Sequence, residues 1–294
     1  AGEGFRAVYR LTTPEMIEAT RVERVPLPPD RRADHGPFDI IGDVHGCFVE
    51  LCELLGELGY TISERACEDS SSWYHVQPPA GRRALFLGDL VDRGPNSPAV
   101  LRLVMGMVEA GTALCVPGNH DDKLMRYLNG RKVKIAHGLA TTLEQLEQEP
   151  PDFRERVRAF IAGLTHHYVL DGGRLVVAHA GMNEQLQGRD SKRVRDFALY
   201  GETTGELDEY GLPIRIDWAA SYRGRALVVY GHTPVHEPAW VNRTINIDTG
   251  CVFGGRLTAL RYPELVLASV PARQAYAVRG RPFLRPIEAG LPPA

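Results

Sequence analysis

Short apolar runs recur along this chain, and each is followed within four residues by a glycine. Their length and near-continuous apolarity are typical of strands buried on both faces. The runs cover residues 38–41, 84–87, 113–116, 174–178, 226–230 and 244–247. Between them, apolar side chains such as Phe48, Leu51 and Leu55 follow a helical spacing of 3.6 residues. Alternating strands and helices predict a layered α/β domain with its functional site at the strand ends.

The flanking segments show weaker patterns. Residues 5–11 alternate as a half-buried strand does, residues 14–20 have the capping chemistry of a short helix, and residues 26–37 read as a proline-rich linker. Three further strands are expected at 257–262, 265–270 and 274–278. We therefore predict an N-terminal region over 1–37, one domain over 38–284 and a tail over 285–294. Within the domain, a helix-rich insertion (122–168) and a polar, irregular one (182–225) are expected to form the rim of the site.

Composition narrows the function classes. The chain has 294 residues, 44% of them apolar, which suffices for a sizeable core in one large domain or two small ones. A net charge of −3 excludes a global basic field for coating nucleic acid. No apolar stretch approaches the roughly 20 residues of a membrane helix, and no signal pattern is present. Five cysteines without Cys-x-x-Cys spacing favour a reducing cytoplasm, and the initial Ala1 suggests an excised or processed fragment.

Five turns carry the candidate chemistry. They read Gly42-Asp43-Val44-His45-Gly46, Gly88-Asp89-Leu90-Val91-Asp92-Arg93-Gly94, Gly118-Asn119-His120-Asp121, Ala178-His179-Ala180-Gly181 and Gly231-His232-Thr233-Pro234. Any one of them alone is compatible with a plain turn, because Gly, Asp and Asn tolerate left-handed backbone. Six residues of metal-ligand type at the ends of apolar runs are hard to explain in that way. The ligand-type residues are Asp43, His45, Asp89, Asn119, His179 and His232.

The order and types of these residues resemble the calcineurin-like binuclear metallophosphoesterases, over about residues 38–250. The resemblance implies an α/β fold, a four-layer αββα sandwich of two mixed sheets with a helical and irregular rim insertion. It implies two divalent ions bridged by Asp89, one also held by Asp43 and His45. The other ion is expected on Asn119, His179 and His232. Oxygen and nitrogen ligands without thiolate suit Mn²⁺, Ni²⁺, Co²⁺, Fe or Zn²⁺ better than Ca²⁺. The donor set does not rank these five metals, and Mn²⁺ is the expected one.

The same motifs supply candidates for catalysis. A bridging hydroxide between the two ions is expected to attack phosphorus. His120, oriented by Asp92, is the candidate general acid, a role typically worth about 10²–10⁴-fold in rate, and its alternative is a purely supporting role. The planar guanidinium of Arg93 suits two phosphoryl oxygens.

Three further residues have weaker support. Asp248 is expected to orient a ligand histidine or to contact a metal, and a plain turn aspartate is the alternative. Arg193 and Arg195 lie in the densest basic run, 189–195. A loop there would bring them to an anionic substrate, and a solvated rim is the alternative.

Finer stretches resemble the phosphatase module of bacterial RNA-repair polynucleotide kinase-phosphatase. They lie at 30–32, 36–47, 200–219 and 246–261. This resemblance implies a phosphomonoesterase that removes 2′- or 3′-phosphates, and 2′,3′-cyclic phosphates as a further substrate, from RNA ends. It also implies kinase and adenylyltransferase modules in a longer chain and an RNA-repair partner protein. This sequence contains neither a phosphate loop nor a ligase-type lysine motif, so it is expected to be the central module.

Other functions stay open. A dinucleoside polyphosphatase or nucleotide phosphatase would use the same ligand set on phosphorylated nucleotides. Protein serine/threonine phosphatases usually show Arg-Gly-Asn-His-Glu, whereas this chain has Pro117-Gly118-Asn119-His120-Asp121, which disfavours them. A catalytically dead scaffold is disfavoured by the intact ligand set.

Overall fold

The protein is described by a computed structural model that covers residues 9–23, 25–66, 72–209, 211 and 213–280. Most of the strand expected at 5–11 and the whole tail expected at 285–294 lie outside the described residues. Residues 9–11 are not in a strand. No helix in the described part of the chain is both long and apolar enough to cross a membrane.

Strands and helices alternate along most of the chain. The strands are β1 (Asp30–Arg31), β2 (Phe38–Ile41), β3 (Thr61–Ala66), β4 (Ser72–Gln77), β5 (Arg83–Phe86), β6 (Ala113–Cys115), β7 (His167–Leu170), β8 (Leu175–Ala178), β9 (Thr203–Leu207), β10 (Pro213–Arg215), β11 (Leu227–Tyr230), β12 (Trp240–Val241), β13 (Thr244–Asn246), β14 (Arg256–Tyr262) and β15 (Val266–Pro271). The helices are α1 (Pro14–Ala19), α2 (Phe48–Glu57), α3 (Ser97–Glu109), α4 (Asn119–Leu128), α5 (Leu139–Glu147), α6 (Pro151–Gly163), α7 (Lys192–Tyr200) and α8 (Trp218–Ser221), with a 3₁₀ turn at Asp171–Gly173.

Two mixed sheets form the centre of the fold. The first has the order β15-β14-β2-β5-β6. Strands β2, β5 and β6 are parallel to one another, and β14 is antiparallel to both of its neighbours, β2 and β15. The second has the order β1-β7-β8-β11-β13-β12, in which β8, β11 and β13 are parallel. Two hairpins, β3–β4 and β9–β10, stand apart from these sheets.

The two-residue period of the strands divides the core into layers. Ile40 and Leu85 of the first sheet pack with Val177 and Val229 of the second, so this cluster lies between the sheets. The next residue on β2, Ile41, points the other way and packs with helices α2 and α3. On the far side of the second sheet, alternate residues of β8 and β11 pack with α7 and α8. The layers therefore run helix, sheet, sheet, helix, which confirms the predicted αββα sandwich.

Several local predictions were wrong. The linker at 26–37 contains β1, which pairs in parallel with β7 through Asp30 and Val169. The strand expected at 274–278 is absent among the described residues, where a single bridge joins Phe253 and Ala275. The segment expected to be irregular, 182–225, holds α7, α8 and the β9–β10 hairpin. These elements depend on partners distant in sequence, which a local apolar pattern does not reveal.

Candidate metal centre

The motif turns meet because the parallel strands of both sheets end at one edge of the sandwich. Asp43 follows β2, Asp89 follows β5, Asn119 begins α4 after β6, His179 follows β8 and His232 follows β11. Left-handed backbone at non-glycine residues is costly and concentrates at functional sites. It occurs here at five motif residues, His45, Asp89, Asp92, Arg93 and His232, with φ between 45° and 74°. The turns therefore adopt costly backbone conformations that direct these side chains towards the site.

At two motif positions the backbone passes so close to a carboxylate that only glycine fits. A Cβ at Gly118 would lie 2.1 Å from Asp89 Oδ1, and a Cβ at Gly231 would lie 2.1 Å from Asp43 Oδ1. Any side chain at either position would collide with a predicted ligand. The glycines in these motifs thus serve the carboxylates as well as the turns.

Asp89 lies at the centre of the cluster. One of its oxygens is 3.4 Å from His45 Nε2, and the other is 3.5 Å from His179 Nε2. Two groups of residues with spacing suited to a metal ion share this aspartate. They are His45, Asp89 and His120, and Asp89, His179 and His232. This arrangement supports the prediction that Asp89 bridges two ions, and it places His120 beside one of them.

The remaining predicted ligands complete the cluster. His179 Nε2 lies 3.1 Å from Asn119 Oδ1 and 2.9 Å from His232 Nδ1. Asp43 Oδ2 accepts a hydrogen bond of 3.0 Å from the His232 backbone N–H. The other oxygen of Asp43 and the Nε2 of His232 are buried and have no hydrogen-bond partner in the described part of the chain. Buried polar atoms without partners are rare and costly, so these two atoms fit a cation site.

Backbone carbonyls select the histidine tautomers. His45 Nδ1 lies 2.8 Å from the Val91 carbonyl, and His179 Nδ1 lies 3.0 Å from the Leu87 carbonyl. Because a carbonyl only accepts, each Nδ1 carries the proton, and the lone pair on Nε2 faces the cluster. Ligating histidines are commonly held by such a bond from the other ring nitrogen.

Burial and mutual repulsion set the protonation of the cluster. Burial, together with the charges of Asp248 and Asp89, holds the pKa of Asp43 well above its usual range. Burial raises the pKa of Asp89 and of Asp248 to about 7. Burial lowers the pKa of His179 to about 3, so its imidazole is neutral at pH 7. Clustered carboxylates and neutral imidazoles are the donor set that divalent cations bind with release of protons, so the residues fit the two predicted ions.

His120 is held beside the cluster by a chain of hydrogen bonds. Its Nδ1 lies 2.6 Å from Asp92 Oδ2, and its backbone N–H donates to Asp89 Oδ1 at 3.0 Å. The Thr142 hydroxyl donates to Asp92 Oδ1 at 2.7 Å and accepts from the Asp92 N–H at 2.9 Å. Asp92 is therefore placed to orient the imidazole, as predicted. Thr142 lies on α5, 50 residues away, and no sequence motif marked it.

The arginines predicted to contact substrate have different surroundings. Arg93 Nη1 lies 2.6 Å from His45 Nε2, and its guanidinium packs on the Phe253 ring at 5.2 Å. Arg193 and Arg195 lie on helix α7 instead of in a loop. Arg195 is paired with Asp122 at 2.5 Å, and Arg193 is exposed. Arg93 thus lies within the cluster, whereas the rim role of the other two stays a prediction.

Asp248 lies close to the cluster. It is buried after β13, and its Oδ1 accepts from the Gly250 N–H at 3.0 Å. A Cβ at Gly231 would lie within 3.3 Å of both the Asp43 carboxyl carbon and the Asp248 Cβ, so the two aspartates are neighbours. Its proximity to Asp43 fits the predicted role beside a ligand.

A comparison with protein families bears on this centre. The model of the calcineurin-like phosphoesterase family matches residues 36–250, which is more than half of the chain. The chain belongs to this family. Its members use a binuclear metal centre, in agreement with the two ions expected here.

Individual relatives of this phosphoesterase carry a more specific name. A protein from Anoxybacillus flavithermus, named asymmetrical bis(5′-nucleosyl)-tetraphosphatase PrpE, is 48% identical over 84% of this chain and 99% of its own length. A protein of the same name from Halalkalibacterium halodurans is 50% identical over 81% of this chain and 94% of its own. A crystal structure described as a putative diadenosine tetraphosphatase has a TM-score of 0.59 and 27% identity, covering 83% of this chain and 96% of that one.

These names overturn the RNA-repair interpretation. The predicted removal of 2′- or 3′-phosphates from RNA ends, drawn from a resemblance to polynucleotide kinase-phosphatase, was wrong. The metal motifs act on the phosphoryl group, so they do not distinguish one substrate from the other. The kinase and adenylyltransferase modules and the RNA-repair partner stay predictions without support from the relatives.

The phosphoesterase centre also includes charged residues that sequence reasoning missed. Burial lowers the pKa of His179 and of His232, and the charge of Arg215, on β10, lowers both further. The Arg215 side chain also donates to the Tyr200 carbonyl. Lys123 and His137 lie on the Arg93 side, where their charges act on Asp92 and His120. Lys123 closely follows a motif turn and Arg215 lies in the 200–219 stretch, but neither residue has the ligand type or spacing that marked the motifs.

Proposed function

We propose that this phosphoesterase hydrolyses dinucleoside tetraphosphates asymmetrically, to a nucleoside triphosphate and a nucleoside monophosphate. The observation that carries the proposal is the name of relatives about 48% identical over nearly their whole length. The centre supports it, because the residues expected to hold two ions are assembled beside Arg93. Phosphoanhydride hydrolysis needs this combination of cations and a phosphate-binding guanidinium.

The predicted ligands would hold the two ions, and neighbouring residues would act on the substrate. Asp43, His45 and Asp89 would hold one ion, and Asp89, Asn119, His179 and His232 the other. When bound, such a pair of ions activates water and neutralises charge on the phosphoryl group. Mn²⁺ is the proposed metal, and Ni²⁺, Co²⁺, Fe and Zn²⁺ also suit donors that are oxygen and nitrogen only.

Arg93 and His120 act on the substrate directly. The Arg93 guanidinium binds non-bridging oxygens of the phosphoryl group, where negative charge develops during the reaction. In its protonated form, which burial and the Arg93 charge disfavour by lowering the pKa of His120, this imidazole would donate a proton from Nε2 to the oxygen that leaves with the triphosphate. Asp92, itself held by Thr142, accepts from His120 Nδ1 and stabilises the cationic imidazole.

The proposal is tested with diadenosine tetraphosphate and Mn²⁺, with the products separated by anion-exchange chromatography. We expect equal amounts of ATP and AMP, and no such hydrolysis by the Asp89→Asn variant, which loses the bridging carboxylate. Two molecules of ADP would indicate symmetrical cleavage. Intact dinucleotide, under conditions where the enzyme hydrolyses p-nitrophenyl phosphate, would refute the proposal.

A further inference from the structure

A cavity of about 480 Å³ opens directly beside His232. One wall comes from the segment after α7, with Ile214, Ile216 and Trp218, and the other from β11 and the residues that follow it, with Tyr230 and Val235. The cavity therefore joins a segment near residue 215 to the turn that presents a predicted metal ligand. Its volume exceeds that of a single phosphate and suits a nucleoside.

Aromatic rings pack against one another where the two walls of the cavity meet. The Trp218 ring is 5.0 Å from the Tyr230 ring and 5.9 Å from the Phe197 ring. A Cβ at Gly181 would lie 2.0 Å from the Trp218 ring, so the backbone beside His179 lies directly against the indole. Trp218 is only 7% exposed. This packing links the cavity wall to the turn that carries His179.

The solvent-exposed part of the cavity surface near residue 215 is apolar. Ile214 and Ile216 are 36% and 40% exposed, respectively, and both line the cavity. Large aliphatic side chains that stay open to a concave surface are typical of ligand sites. A planar base would cover them and would face the Tyr230 ring across the cavity.

The charges around the cavity exclude a polyphosphate from its interior. Carboxylates of Glu202, Asp208, Asp217 and Glu237 line it, and Arg215 is the one cationic side chain among its described lining residues. Carboxylates repel phosphate but accept hydrogen bonds from ribose hydroxyls and base amino groups. The cationic side chains of Arg93 and Lys123 instead lie on the other side of the centre, beside Asp92 and His120. A ligand with a neutral, donor-rich end and an anionic chain matches this distribution.

We propose that this cavity binds the nucleoside that leaves as the monophosphate, an inference that rests on the proposed function. The base lies between Ile216 and Tyr230, and the ribose faces the carboxylates. Because the cavity opens at His232, the first phosphate of this nucleoside lies at the centre, and the other three phosphates extend towards Arg93 and Lys123.

This placement determines which bond breaks. Oxygen from water joins the phosphorus nearest the nucleoside in the cavity, the bond from that phosphorus to its bridging oxygen breaks, and the bridging oxygen leaves with the triphosphate and takes a proton. The cavity thereby accounts for asymmetrical cleavage.

The test uses Ile216→Glu, which adds a fifth carboxylate to the four that line the cavity, and Leu207→Glu as its matched control. Leu207 lies on the same hairpin, is 64% exposed and does not line the cavity. Inhibition of p-nitrophenyl phosphate hydrolysis is measured with AMP and with inorganic phosphate. We expect the ratio of the AMP to the phosphate inhibition constant to rise about tenfold or more in Ile216→Glu, since tenfold corresponds to loss of one good apolar contact. Leu207→Glu keeps the wild-type ratio and turnover.

The outcomes separate this inference from the proposed function. An unchanged ratio in Ile216→Glu, with diadenosine tetraphosphate still cleaved to ATP and AMP, overturns the cavity assignment alone. A raised ratio in an enzyme that does not cleave the dinucleotide supports the nucleoside site and refutes the tetraphosphatase function. In water enriched in oxygen-18, the label is expected in AMP, and label in ATP would overturn the proposed direction of cleavage.

Discussion

Gly231 offers a sharp test of the metal centre, because the severe clash that a side chain there creates falls on one predicted ligand, Asp43. A Cβ at this position would lie 2.1 Å from Asp43 Oδ1, the buried oxygen that has no hydrogen-bond partner among the described residues. Ordinary contact begins at 3.4 Å. In Gly231→Ala, the carboxylate oxygen must therefore retreat by about 1.3 Å, unless the strand end moves instead. The backbone dihedral at Gly231 does not need glycine, so the effect comes from this clash and from a milder contact of 3.3 Å with the Asp248 Cβ.

The size of that displacement determines the expected loss. Metal–ligand distances tolerate about 0.2 Å, so a shift of about 1.3 Å removes Asp43 from the ion. We expect Mn²⁺ affinity at that site to fall at least 10–100-fold, the range seen for weaker disturbances around a ligand. Turnover at saturating Mn²⁺ should fall by about 10²-fold, the usual result of a 1 Å misplacement at a reacting centre.

Calorimetric Mn²⁺ titration and p-nitrophenyl phosphate hydrolysis measure both effects. Gly56→Ala is the matched control, because a Cβ there meets nothing within 4 Å. Since Gly56 lies within α2, that variant should gain about 0.5–1 kcal/mol of stability and keep normal activity. The metal-free Gly231→Ala protein should still unfold cooperatively. Two equivalents of Mn²⁺ bound with wild-type affinity, together with normal turnover, would refute the role assigned to Asp43.

Two further predictions concern proton transfer and acid stability. His120→Ala should slow hydrolysis of phenyl phosphate, whose leaving oxygen is basic, by about 10²–10⁴-fold, and that of p-nitrophenyl phosphate much less; equal losses would assign His120 a supporting role. Burial lowers the pKa of His167 to about 4, while its Nε2 accepts from the Gly188 N–H at 2.9 Å. Because unfolded histidine binds a proton near pH 6.5, stability is lost as the pH falls from about 6.5 to 4, by up to about 3 kcal/mol. Urea unfolding at pH 7 and pH 4.5 should show a smaller loss in His167→Gln, which keeps the acceptor, and identical losses would contradict the assignment.

The errors of sequence reasoning in substrate choice have a physical origin. Metal ligands act on the phosphoryl group alone, so their motifs are the same whichever group is attached to it. The parts of the substrate beyond the phosphorus meet residues outside the motifs, such as Ile216 and Arg215. The segment 200–219, from which the RNA-repair resemblance was drawn, in fact lines the cavity beside the centre. The sequence did not show that this segment faces the turn after β11 across a cavity.

The sequence by itself determined the strands that carry the centre and the residues at their ends. Buried parallel strands are continuous apolar runs, and their ligands follow within a few residues, so both are local properties. Only the tertiary structure placed Thr142 under Asp92, set Trp218 against the His179 turn and joined β10 to β11 around a cavity. These contacts join residues separated by 15 to 50 positions or more, and their polar and aromatic side chains also occur in ordinary loops and cores. The packing of the helix and sheet layers against one another decided which of these side chains face the metal centre.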